Sequence, residues 1–194
     1  NAIIERKGAN VALITTDGFR DVLEIGYESR FNQYDIFIDK PMPLVPRHRR
    51  FTVPERVDVH GRILLDLDED AVKALLPELD RAGVESIAIG FFHGYANPAH
   101  EQLAREIIEA ARPDLSITLS SEVCPEIREF ERLTTATANA YVRPLIARYL
   151  NNLETRLSKI GIVSPVLLMT SGGGLTTLET AARFPIRLVE SGPA

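Results

Sequence analysis

Near its carboxyl end the chain carries two apolar runs, Val166–Met169 and Ile186–Val189, and each opens into a turn of small residues. The first turn is Ser171-Gly172-Gly173-Gly174 and the second is Ser191-Gly192-Pro193. Strand, glycine turn, helix, strand and turn in that order predict a βαβ unit with both strand ends facing one crevice. In open α/β sheets ligands sit in such a crevice. The three glycines would let backbone N–H groups approach an anion, and a following helix would add its positive end. Thr176 and Glu179 have the spacing of a capping box for that helix. The turn is neither G-x-x-x-x-G-K-[ST] nor G-x-G-x-x-G, and no lysine follows it. A ligand-binding α/β protein is the expectation, with a nucleotide as one candidate ligand and a tight, empty turn as the alternative.

Composition narrows the class. The 194 residues are 45% hydrophobic and 25% charged, as in ordinary globular proteins. No apolar run approaches the length of a membrane span, and no signal segment opens the chain. The net charge of −5 argues against nucleic acid, which needs a clustered basic face. The basic cluster Arg47-His48-Arg49-Arg50 is flanked by prolines and reads as a solvated loop or strand edge. Cys124 is the only cysteine, so no internal disulfide can form, which fits a reducing cytosol. Residues 2–7 read as the tail of a helix with Gly8 at C′. The chain starts on Asn1 and stops after a turn at Ala194, so a piece of a longer protein is expected.

Further along, Val11–Thr15 predicts a buried strand, and Asp17 a cap for a short helix ending near Gly26. Residues 28–67 read as an antiparallel insertion, with a hairpin of 51–59 and 63–67 around His60-Gly61-Arg62. Asp68 starts a helix that ends at Gly83, and 87–92 and 115–119 are strands around a helix starting at Asn97-Pro98. This alternation predicts parallel βαβ units over 84–120 and a boundary near 120–125, giving units of 1–120 and 121–194. Two helices are expected next, 126–143 and 145–160, separated by Pro144.

On the first of these helices Arg128, Glu131, Arg132 and Thr135 recur at helical spacing and share one face. That face reads either as a polar wall for a substrate carboxylate or carbonyl, or as a solvated, salt-bridged surface. The four histidines show no metal-ligand spacing, and His93-Gly94-Tyr95, after a buried strand, can reach a strand-end crevice or be structural. The acidic run Asp66, Asp68, Glu69, Asp70 lies at a helix start, where it complements the dipole. No Ser-His-Asp arrangement emerges.

Several segments occur in a recognisable order: NAIIERKGANVALITTDGFRDVLEIG (1–26), KPMPLVPRHRRFTVPERVDVHG (40–61), SSEVCPEIREFERLTTATANAYVRPLIARYL (120–150), then MTSGGGL and LVESGPA. Together they cover nearly the whole chain and resemble the hydantoinase A / 5-oxoprolinase family, which includes acetone and acetophenone carboxylase subunits. The resemblance implies an actin-like, Hsp70-like or sugar-kinase-like ATPase fold. It implies an ATP-dependent hydrolase that phosphorylates the oxygen of a cyclic amide or imide, which water then opens. An ATP-dependent carboxylase subunit and a non-catalytic assembly module are the alternatives. ATP and a divalent metal such as Mg²⁺ are the implied cofactors, neither expected to bind this stretch alone. The family's Asp-x-Gly-Gly-Thr hairpin, its His-Gly-Thr-Thr segment and its second aspartate–glycine–glycine motif are all missing from it. A small cyclic amide, a hydantoinase B-type subunit or a second copy are the implied partners, in the cytoplasm. By resemblance Gly172, Gly173, Gly174, Ser191 and Gly192 match nucleotide- or substrate-side segments. Arg128, Glu131 and Arg132 match a characteristic family segment, and no catalytic residue is assigned.

Overall fold

The structure is a computed structural model that describes residues 2–27, 34–38 and 40–189. Its centre is a parallel sheet of four strands in the order β2–β1–β5–β6. These are β1 (Val11–Thr16), β2 (Arg50–Val53), β5 (Ser86–Gly90) and β6 (Ser116–Leu119). Both β1 and β5 are buried along their whole length, as the continuous apolar runs predict for a sheet covered on both faces.

Alternation along each strand sorts the core into two layers. Ala12, Ile14, Ile87 and Ile89 pack with Val72 and Leu79 of α2 (Glu69–Arg81) and Ala104 and Ile108 of α3 (Ala99–Ala111). Val11, Leu13 and Ala88 face the other way, onto Leu133, Ala136 and Ala140 of α5 (Glu129–Lys159). Local signals set the helix ends. The Asp68 carboxylate accepts from Ala71 N at 2.9 Å, and Gly83, at φ +60°, closes α2 with paired bonds from Val84 N to Leu79 O and from Gly83 N to Asp80 O. Gly90 lets α5 approach β5, since a Cβ there would lie 2.0 Å from Leu133 Cδ2.

Several sequence expectations are corrected. Residues 2–7 do end in a helix-type closure, but the left-handed residue is Arg6, at φ +55°. Gly8 is small because the Tyr141 ring occupies the space of its side chain, with ring atoms 2.2 Å from where a Cβ would sit. Asp17 caps no helix: α1 (Val22–Ile25) starts after Asp21, and Asp17 instead accepts from Gly18 N and Thr52 Oγ1. The expected antiparallel insertion is smaller than 28–67. Arg50–Val53 joins the main sheet in parallel beside β1, and only β3 (Arg56–Val57) and β4 (Ile63–Leu65) pair antiparallel. Pro54, which lacks an N–H, separates the two arrangements.

Pro144 does not break α5, which runs unbroken for 31 residues. The proline removes a single hydrogen bond, to the carbonyl of Ala140, while the buried Arg132, Leu133 and Ala136–Val142 clamp the helix to the sheet. Finally, the triple glycine opens no helix. It links β7 (Leu167–Met169) to β8 (Leu175–Thr177) in an antiparallel hairpin. Thr177, one residue beyond the expected Thr176, then caps α6 (Leu178–Arg183), accepting from Thr180 N at 3.2 Å. The second apolar run is a 3-10 turn, Pro185–Leu188, where Pro185 at the first position favours a helical start over a strand.

Candidate functional site

The chain leaves β1 to add β2 on one side and later adds β5 on the other, so the sheet's topological switch lies between β1 and β5. The carboxyl ends of these strands meet there, and ligands of open α/β sheets bind at such a point. A buried polar network braces this edge. Arg132, with no exposed surface, donates to Ser120 Oγ at 3.2 Å, Glu126 O at 2.7 Å, Phe91 O at 2.9 Å and Glu129 Oε1 at 3.0 Å. Glu101, equally buried, accepts from the Ser120 hydroxyl at 2.6 Å and Phe91 N at 3.1 Å through one oxygen. Its other oxygen accepts from Ser121 N at 2.9 Å and the Ser121 hydroxyl at 2.7 Å. Burial pushes the Glu101 carboxyl above its usual pKa range, and these four donors pull it back. A third buried cluster joins the Thr16 hydroxyl to Glu55, whose second oxygen lies 2.8 Å from His100 Nδ1. Phe92 N donates to Thr16 Oγ1 at 2.8 Å, tying β1 to the turn after β5.

Outside this bracing, a ladder of rings and cations crosses the strand ends. Phe19, just after β1, stacks on Phe92, just after β5, with centroids 4.2 Å apart. The Arg56 guanidinium lies over both rings, at 4.9 and 5.5 Å. On the far side the His93 ring is 4.2 Å from Phe92, Tyr95 follows at 5.9 Å, and Arg132 lies 5.4 Å over Tyr95. His93 is held at φ +58°, a conformation unfavourable for a non-glycine residue. His93 Nδ1 and the Tyr95 hydroxyl are buried without a hydrogen-bond partner among the described residues.

The residues expected on one helix face separate. Arg132 turns into the network, whereas Arg128 precedes α5 as its N-cap with a side chain 72% exposed. Glu131 lies 3.8 Å from Arg128 and accepts a hydrogen bond from the Tyr27 hydroxyl, which holds the Glu131 carboxyl below its usual range and raises the Tyr27 phenol. Tyr27 lines a largely apolar cavity of about 530 Å³ with Phe130, Met42, Leu44, Thr134 and Thr137. Gly172, Gly173 and Gly174 lie together in the β7–β8 hairpin, with Gly173 at φ +82°. Ser171 anchors the hairpin by donating from N and Oγ to Arg187 O, at 2.8 and 2.9 Å. Ser191 and Gly192 lie outside the described residues.

Sequence reasoning missed Thr16, Glu55, His100, Glu101 and Ser120. One signal was available: Glu101 falls in register with Ala104 and Ile108 on the apolar stripe of α3, where an unpaired carboxylate would be costly. Among the described residues no group of three or more His, Cys, Asp or Glu is placed to hold a metal ion, and no helix is long and apolar enough to cross a membrane. Burial raises the pKa of the Cys124 thiol, away from thiolate chemistry.

Comparison with known proteins adds a family and a set of folds. A family model described as the hydantoinase/oxoprolinase N-terminal region matches residues 1–111, and one described as hydantoinase/oxoprolinase matches 132–194. The caprolactamase subunit alpha of Pseudomonas jessenii is 35% identical over 100% of this chain and 28% of its own length. The crystal structure of the ATP-dependent caprolactamase from that organism superposes with a TM-score of 0.83 at 36% identity, over 90% of this chain and 26% of that one. A nucleotide-free structure of acetone carboxylase, described in terms of ATP-dependent acetone carboxylation, superposes with a TM-score of 0.81 at 26% identity, over 96% of this chain and 28% of that one. Both have an actin-like ATPase fold, of which the present chain forms a part. It spans about a quarter of the length of these relatives.

Proposed function

Because the chain belongs to the hydantoinase/oxoprolinase family, we propose that it is one part of an ATP-dependent enzyme that opens a cyclic amide or imide ring. Rings of the hydantoin, N-methylhydantoin or 5-oxoproline type are the substrates we assign. The observation that carries this reading is the superposition on ATP-dependent caprolactamase at 36% identity over 90% of the chain. A ring amide is a poor electrophile, and ATP, when bound, supplies the phosphoryl group that makes its oxygen a leaving group.

The chain's own residues supply support for such a site. Arg132, Glu101 and the Thr16–Glu55–His100 cluster hold the strand ends in fixed register, which keeps residues at the switch point preorganised. In the hairpin, a Cβ on Gly172 or Gly173 would meet nothing within 4 Å, so the turn is uncrowded, with Gly173 N engaged by Thr170 O. Gly172, Gly173 and Gly174 are retained as nucleotide-side residues, with Ser191 and Gly192 assigned to the same role by resemblance alone. The described residues offer no cluster for a divalent metal. By resemblance we assign the metal ligands, and the remaining phosphate contacts, to the family's aspartate–glycine–glycine motifs, which this sequence lacks. A hydantoinase B-type subunit is the partner we propose, since the caprolactamase relative is itself named a subunit alpha.

The test is ring opening by the intact protein with hydantoin, N-methylhydantoin and 5-oxoproline, each with and without ATP. Hydrolysis of at least one ring, with matching ADP release, is expected; hydrolysis indifferent to ATP would overturn the reading. A carboxylase subunit is the second reading, favoured by the acetone carboxylase superposition over 96% of the chain. ATP-dependent fixation of bicarbonate into acetone, without ring opening, would select it.

A further inference from the structure

We propose that the carboxyl edge of the sheet carries an anion-binding subsite centred on Arg56, which takes the carboxylate or phosphoryl group of a small molecule. The starting observation is charge left over. Arg56 is half-buried on β3, with its guanidinium over the Phe19 and Phe92 rings, and that guanidinium makes no hydrogen bond or ion pair with any described residue. Other arginines of the same region are committed. Arg47 pairs with Asp21 at 2.9 Å, Arg50 with Glu24 at 2.7 Å, Arg62 with Asp58 at 2.7 Å, and Arg132 fills its own network.

Neighbouring carboxylates direct their hydrogen bonds elsewhere, and none forms an ion pair with Arg56 among the described residues. Its chain neighbour Glu55 turns inward, one oxygen on the Thr16 hydroxyl and the other on His100. Asp58 accepts from His60 N, Arg62 N and Arg62 Nε. Asp17, at the end of β1, accepts from Gly18 N and Thr52 Oγ1. A guanidinium cannot lose its charge near neutral pH, so Arg56 presents a permanent cation and a fork of N–H donors with no acceptor among the described residues.

Position and rigidity turn that excess into a site. Phe19 follows β1 and Phe92 follows β5, so their stack closes the topological switch, and Arg56 covers it from the side of the β3–β4 hairpin. Stacking on two rings holds the guanidinium without using its N–H edge, which suits bidentate capture of two oxygens. The shelf is anchored beneath: Phe92 N is bound to Thr16, and Glu55, next to Arg56, is 2% exposed. In the reaction proposed above, this subsite would grip either an anionic substituent of the ring substrate or a phosphoryl group. That identity rests on the proposed function; the anion site itself does not.

Isothermal titration of the intact, nucleotide-free protein tests it with three probes. These are inorganic phosphate, 5-oxoproline, and 2-pyrrolidinone, which has the same ring without the carboxylate. Arg56→Gln should weaken binding of at least one of the two anions by about tenfold or more, and Arg56→Lys, a point charge without the fork, should restore part of it. Arg81→Gln, an exposed arginine in the last turn of α2, should leave binding unchanged. A phosphate-selective loss assigns a phosphoryl group, and a loss for 5-oxoproline with 2-pyrrolidinone unaffected assigns a substrate carboxylate. Wild-type protein that binds neither anion up to about 10 mM, or folded Arg56→Gln protein that binds both as wild type does, would overturn the proposal. Binding needs no turnover. A protein that shows the Arg56-dependent binding yet opens no ring would sink the hydrolase reading and leave the anion site standing.

Discussion

Arg132 puts a permanent charge where no water reaches it, and four acceptors from four separate residues compensate for the lost hydration. Breaking such a set from one side costs more than the set contributes, because the partners stay buried and unpaired. Arg132→Met, close in volume, is expected to lower stability by about 3–5 kcal/mol, read as a lower urea midpoint with unchanged slope. A shift under about 1 kcal/mol would show that the residue is solvated in solution. His93 poses the complementary case, a side chain held in a backbone conformation that suits glycine or asparagine better. His93→Asn should leave the fold intact while removing the ring that continues the Phe19–Phe92 stack. If His93 serves the reaction, kcat falls in this variant while the thermal midpoint moves by only about 2–4 °C. The polar face of α5 was visible in the spacing of Arg128, Glu131 and Arg132, but its inward and outward halves were not. Spacing fixes which side chains neighbour one another along a helix, and the partner that buries one of them comes from distant sequence, here Phe91 and Ser120.

α6 is tied back to the rest of the protein by the buried Ala181, by a hydrogen bond from Asn139 to Arg183 O, and by charge. Glu122, in the short helix α4 (Ser120–Val123), lies 2.9 Å from Arg105 of α3 and 2.7 Å from Arg183 of α6. Burial alone would raise its pKa, but hydrogen bonds from Arg183 and Arg105 hold it below the ordinary value of 4.5. A carboxyl lowered in the folded state contributes stability above its unfolded value, and that contribution is lost as the pH falls through the folded value. Below about pH 4.5 the wild type should therefore lose stability faster than Glu122→Gln, with the two curves converging in acid. Urea midpoints between neutral pH and pH 3 would check this, and parallel curves would count against it. Within α5, Pro144→Ala restores a hydrogen bond to the Ala140 carbonyl and should stabilise by about 1–3 kcal/mol. A destabilised Pro144→Ala protein would mean that the packing of 132–142 depends on the proline's bend. Helix starts and stops such as Asp68 and Gly83 were legible because cap chemistry is local. The β7–β8 hairpin was not, since β8 is three residues long and largely exposed, too short for an alternation to declare itself. The same weakness hid β2, whose parallel pairing with β1 depends on residues far away in sequence.

Over the whole chain, order of burial falls from the sheet outward to the carboxyl end. β1 and β5 are fully buried, whereas past Val142 the only buried residue of α5 is Leu150, and Val163, Met169 and Leu175 stand 91%, 61% and 66% exposed. Amide exchange should follow this gradient, slowest in 11–16 and 86–90 and fastest in 161–177. Uniform protection across both regions would contradict it. The parallel α/β class and its central strands were readable from the sequence because β1 and β5 are unbroken apolar runs, while their pairing order was not. That order has a consequence for biosynthesis. Val11 is registered against Ser86, so β1 leaves the ribosome well before its neighbour on the β5 side has been translated. At about 5–20 residues per second the wait lasts several seconds, during which the β5-facing edge of VALITT is unpaired. A nascent chain stalled before Ser86 is thus a natural client for a holding chaperone, and one released after Leu119 is not.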